Sequence, residues 1–85
     1  QSIPTIPELI SMSATLSSDN NLVGRSIPDA ENKIGCRIVM IERTNEEGAV
    51  EVQIPTQVES LEMSDKIYIF LEKSDIKRVE RSLEN

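Results

Sequence analysis

Two short runs, Ile38-Val39-Met40-Ile41 and Ile67-Tyr68-Ile69-Phe70-Leu71, are apolar at every position. They constrain the fold more than any other feature of the chain. Successive side chains of a strand point to opposite faces, so a continuously apolar strand needs both faces covered. Two further stretches alternate instead. In Glu8 to Leu16, Ile10, Met12, Ala14 and Leu16 share one face, while Leu9, Ser11, Ser13 and Thr15 share the other. In Ala49 to Ile54, Val50, Val52 and Ile54 are expected to point inward and Glu51 and Gln53 outward. Period two with one apolar face marks strands with one wet side. The expected sheet thus has two interior and two outer strands, with Val50 to Ile54 toward an edge.

Helices fill the remaining segments. Ser26 followed by Asp29 forms a capping-box pattern, and Pro28 falls in the first turn, where its missing N–H costs little. Ile27, Ala30 and Ile34 then make one helical stripe, and Gly35 stands where a helix ends in the left-handed conformation. A second helix carries Ile76, Val79 and Leu83 on one face, with Ser74 or Asp75 as its cap. Ser17 to Asn21 and Thr44 to Gly48 are turn clusters. Thr56 to Lys66 is a connection from which Val58, Leu61 and Met63 are expected to dip into the core. The result is an α+β domain of order β-α-β-β-β-α, a mixed four-stranded sheet with two short helices. Residues 1–8, with Pro4 and Pro7, read as an extended lead-in or linker remnant, and 9–85 as the domain. A chain that begins at Gln1 is expected to be a fragment or a processed product.

Size makes the uncovered strand faces informative. A chain of 85 residues buries only about 60–65% of its unfolded surface. Domains this small are usually stapled by disulfides, a metal or a partner. Cys36 is the single cysteine and there is no histidine, so neither a disulfide within the chain nor a transition-metal site of the usual kind is expected. A partner subunit is the staple that remains. Two short helices cover part of one sheet face, and a second copy of the chain is the simplest cover for the other.

Charge and composition narrow the function. The net charge is −6 and Tyr68 and Phe70 are the only aromatics. Nucleic-acid binding, which calls for a basic patch and stacking rings, is not expected, nor is direct contact with an anionic membrane. No apolar run approaches the ~20 residues of a membrane span, and a lone free thiol suits the cytoplasm. Nothing here reads as an enzyme. Histidine is missing, there is no phosphate loop, and Asp65 is read as a turn former rather than a catalytic acid. Asp19-Asn20-Asn21 and Glu46-Glu47 lack the spacing of a calcium loop and are read as solvated turns.

Several segments, in order, resemble the C-terminal regulatory domain of potassium-conductance regulators, the RCK_C or TrkA-C family. Leu22-Val23-Gly24-Arg25-Ser26-Ile27 is similar to its opening l-v-G-k-x-l segment, and Ile34 to Arg43 to its y-g-v-x-v-v-a-I-x-R strand. Val52-Gln53-Ile54-Pro55 is similar to v-i-x-P, and Leu61 to Phe70 to L-x-x-G-D-x-l-x-v-f. The stretch from Asp65 through Leu83 looks like the extreme C terminus of TrkA proteins. Ser64 departs from the pattern, standing where the family has glycine. The resemblance implies a cytoplasmic, non-catalytic module of a potassium or cation transport system, peripheral to the inner membrane through a transporter subunit. It implies a homodimer formed through the sheet face or a groove, no cofactor, and in some members a nucleotide effector such as cyclic di-AMP. It places Cys36, Arg37, Ile38 and Val39 in the ligand-binding dimer groove, with Cys36-Arg37 where the ligand binders carry a polar pair. By residue chemistry alone, Arg37 is a solvated strand-end arginine able to clasp a phosphate, and Cys36 is a small hydrophobe.

Overall fold

The computed structural model describes residues 8–84; the lead-in expected over 1–8 lies outside them save for Glu8. Four strands, β1 (Leu9–Thr15), β2 (Arg37–Thr44), β3 (Val50–Gln53) and β4 (Lys66–Glu72), form one sheet in the order β1-β4-β2-β3. The helices are α1 (Ile27–Ile34) and α2 (Ile76–Leu83), and short 3₁₀ turns follow β3 at Pro55–Gln57 and β4 at Lys73–Asp75. The sheet is antiparallel at every pairing rather than mixed. The end of β1 is tied to the start of β4, because Leu16 N–H donates to Asp65 O (2.8 Å) and Ser64 N–H to Leu16 O (2.7 Å). The chain therefore enters β4 beside the end of β1 and runs back along it.

The doubly apolar runs occupy the middle of the sheet. Ile67, Ile69 and Leu71 of β4 and Ile38 and Ile41 of β2 face the two helices and are buried. Ile38 and Ile41 are three apart, which simple alternation forbids. The register shifts between Ile38 and Met40, a bulge at Val39 that returns Ile41 to the inner face. Ile10, Met12 and Ala14 of β1 pack on the same core, with Leu16 buried at the strand's end. Helix α1 is built as its sequence dictates. Ser26 Oγ accepts from Asp29 N–H, Gly35 caps it at φ 74°, and Ile27, Ala30 and Ile34 are its buried residues. Helix α2 buries Val79, flanked by Ile76 and Leu83 against the core. Asp75 stands at its N-cap without a side-chain capping bond; its carboxylate lies 3.8 Å from Arg78 Nε instead.

Four side chains point away from the core where the sequence places them inside it. Val50 and Val52 are paired opposite Thr44 and Glu42, and they sit with Ile54 among the exposed residues. The alternation of β3 is as expected, but its dry face lies on the side without helices. In the connection before β4, Leu61 is buried and Val58 half-buried while Met63 is exposed. The chain reverses at Met63-Ser64, where Ser64 takes φ 72°, and this turn swings Met63 outward. Phe70 is 56% exposed on the same helix-free face as Val50 and Val52. Tyr68 lies beside it, donating its hydroxyl to Glu42 under the Lys66 ammonium.

Candidate functional site

Strand β3 pairs only with the second half of β2, from Ile41 to Thr44. Among the described residues the first half, Arg37 to Met40, therefore has an edge without a strand beside it. The first turns of α1 and the 3₁₀ turn after β3 border that gap and make an open groove of ≈ 600 Å³. Ile27, Pro28, Ile38, Val39, Pro55 and Val58 supply apolar walls, and Glu31 and Arg37 supply the charge. The bulge turns Val39, 40% exposed, toward this space.

Three of the four residues assigned to a ligand groove, Arg37, Ile38 and Val39, line this one. Arg37 is at the rim with its side chain 86% exposed. Ile38 is nearly all committed to the core and offers only a wall. Cys36 lies outside it, in an adjoining depression of ≈ 480 Å³ that shares Pro28, Glu31 and Arg37 with the groove. Burial pushes the Cys36 thiol above its ordinary pKa. Arg78 pulls it back in part, and Glu31 and Asp75 push it further up. Such a thiol is a poor nucleophile at neutral pH.

Glu31 is the charged groove residue that sequence reasoning missed, as it missed the walls from α1 and the 3₁₀ turn. Its Oε2 accepts from the Ile38 backbone N–H at 2.8 Å, and its Oε1 lies 3.9 Å from Arg37 Nη1. The available signal was its place on the flank of the Ile27-Ala30-Ile34 stripe, which aims it over the start of β2.

Other candidate chemistry resolves into structure. Asp65 is 1% exposed and accepts from Arg43 Nε (2.9 Å), Arg43 Nη2 (2.8 Å) and the Glu62 N–H (2.8 Å). The hydrogen bonding to Asp65 raises the pKa of the Arg43 guanidinium above its ordinary value, burial opposes this in part, and the charges of Asp65 and Glu62 add to it. Asp19 accepts from Ser17 Oγ at an exposed turn, and Glu46 and Glu47 are exposed around an Asn45-centred loop. Among the described residues no group of three His, Cys, Asp or Glu is placed to hold a metal ion, and no helix is long and apolar enough to cross a membrane. What remains is a site that can hold a small molecule by an apolar wall and a guanidinium.

Comparison with known proteins agrees with this architecture. The family model of the TrkA-C domain matches residues 12–84. Among solved structures, the RCK_C domain dimer of S. agalactiae BusR in complex with c-di-AMP superposes with a TM-score of 0.62 at 24% sequence identity, over 89% of this chain and 91% of that one. That likeness is one of fold. No curated protein matches the chain.

Proposed function

This chain belongs to the TrkA-C (RCK_C) domain family, and on that premise we propose that it regulates a potassium or cation transport system without catalysing a reaction. Residues 9–85 form the domain, which acts in the cytoplasm and reaches the membrane through a transporter subunit. It pairs with a second copy of itself, and it takes a small anionic effector such as cyclic di-AMP in the groove beside Arg37. The observation that carries this reading is the groove itself: an apolar cleft at an open strand edge, with an exposed guanidinium at its rim. Arg37, Val39 and, from the neighbouring depression, Cys36 are the side chains that meet the ligand, with Ile38 as the wall. A ligand favouring one arrangement of the two subunits shifts the population toward it, and that shift is what the transporter reads.

Thermal-shift titration tests the effector. A ligand at a hundred times its Kd stabilises the fold by about 2.7 kcal/mol, and Arg37→Ala should abolish most of that shift. No shift with cyclic di-AMP or other nucleotides would reject the effector.

The helix-free face of the sheet favours a second reading, in which the domain is a structural dimerisation module without a ligand. Phe70, Val50 and Val52 are all more than half exposed there, and an apolar patch of that kind marks an interaction surface. Sedimentation at high micromolar concentration should find a dimer, and Phe70→Ser with Val52→Ser should weaken it if the sheet face is the interface. A stable monomer would exclude self-pairing in either reading.

A further inference from the structure

The proposed groove contains a charge that its proposed ligand does not call for. The Glu31 side chain is 18% exposed, lines both the groove and the Cys36 depression, and cannot swing away freely. Its Oε2 is the acceptor for the part-buried Ile38 N–H, and moving it would strand that donor at the bulge. The opposing charge is held far more loosely. Arg37 is 86% exposed and only 3.9 Å from Glu31 at its nearest. An anion entering the groove can therefore draw Arg37 to itself, but it does so within reach of a fixed carboxylate.

We propose that Glu31 determines the specificity of this groove, setting it to accept singly charged phosphodiesters and to disfavour phosphomonoesters and polyphosphates. The inference rests on the reading of the groove as an anion site. One guanidinium and one carboxylate leave the groove close to neutral, so a ligand gains from Arg37 and loses to Glu31. The loss grows with the ligand's charge, and a phosphomonoester carries about −1.5 to −2 at neutral pH against one charge for a diester phosphate. In a half-enclosed cleft that difference is felt more strongly than in open water. Between a nucleotide and its own cyclic diester the apolar contacts are nearly the same, so the carboxylate is the element that discriminates.

Isothermal titration of the whole chain with cyclic di-AMP, cyclic AMP, AMP and adenosine separates the outcomes, cyclic AMP being the singly charged diester that matches AMP in size. Glu31→Gln keeps an oxygen for the Ile38 N–H and removes the charge. It should tighten AMP by roughly tenfold, or make its binding measurable, tighten cyclic AMP by a smaller factor, and leave adenosine unchanged. The wild-type preference for the diester should also narrow as salt rises from about 20 to about 300 mM, a readout that needs no variant. If the wild type binds cyclic di-AMP but neither Glu31→Gln nor salt alters the diester-to-monoester ratio, Glu31 does not set specificity and the groove reading stands. If neither protein binds any of the four probes, both fall.

Discussion

Removing Arg43 should destabilise this domain strongly for a residue that reaches the surface. Asp65 is 1% exposed and receives three hydrogen bonds, two of them from Arg43. Arg43→Met keeps much of the aliphatic stem and deletes both. The buried carboxylate is then left with the Glu62 N–H alone. Breaking a buried ion pair from one side costs about 3–5 kcal/mol. Arg43 is itself 24% exposed, so water can enter where the guanidinium stood, and the lower end, about 3 kcal/mol, applies. Arg43 also donates to Ser60 O at 3.1 Å and meets Glu62 Oε2 at 2.9 Å; as a partly solvated contact, the Glu62 pair adds only about 0–1 kcal/mol. For a domain of this size about 3 kcal/mol lowers Tm by roughly 12–24 °C, a large share of a total stability of about 5–15 kcal/mol. Urea unfolding followed by circular dichroism measures it, with Asp65→Asn and the double variant completing a cycle. The double variant should cost less than the sum of the two single ones by at least about 1 kcal/mol. A loss below about 1 kcal/mol for Arg43→Met, the range of a surface pair, would refute the account of Asp65 as a buried charge that depends on one partner.

Three further outcomes follow from single positions. Ser64 holds φ 72°, so Ser64→Gly should raise stability by about 0.5–1 kcal/mol in the same assay, the left-handed penalty outweighing glycine's extra unfolded-state entropy. Gly35 has φ 74°, and a Cβ there would come within 2.5 Å of Arg78 Nη1, which donates to Ile34 O; Gly35→Ala should cost about 1–2 kcal/mol through strain and the displaced bond. The Cys36 thiol, raised by burial, should react with a disulfide reagent several-fold more slowly than a free thiol at pH 7, the gap closing as pH rises. The sign for folding is the same. A raised folded pKa contributes stability that is whole below the unfolded thiol's pKa and is lost as pH climbs through the folded value, so Cys36→Ser should flatten the alkaline limb of a stability–pH curve.

Local chemistry made most of the elements legible. The Ser26 and Gly35 caps, the Ile27-Ala30-Ile34 stripe, the alternation of β1 and the two doubly apolar strands at the sheet centre all follow from short-range spacing. The edge position of β3 followed too, because only one of its faces is apolar. Spacing could not say which side of the sheet that face would take. Period two is symmetric, and the choice was made by the Glu42–Val52 pairing, a contact across a hairpin. The bulge at Val39 was hidden for a related reason. An inserted residue in an all-apolar run leaves no break in the pattern, yet it returns Ile41 to the core and opens the groove.

The candidate site divides in the same way. Family resemblance pointed to Arg37, Ile38 and Val39, which share one short stretch of chain. It also pointed to Cys36, which the tertiary structure sets in an adjoining depression, and Glu31 needed that structure to be found at all. Glu31 reaches the groove across a helix end, seven residues from the N–H it accepts. Asp65, read as a turn former, became a buried anion because a strand far from it in sequence carries Arg43 to its side. The sequence by itself determined the elements, since caps, periodicity and turn residues act within a few positions. Burial of charge, the facing of β3 and the shape of the groove depend on which distant segments meet, and only packing decides that.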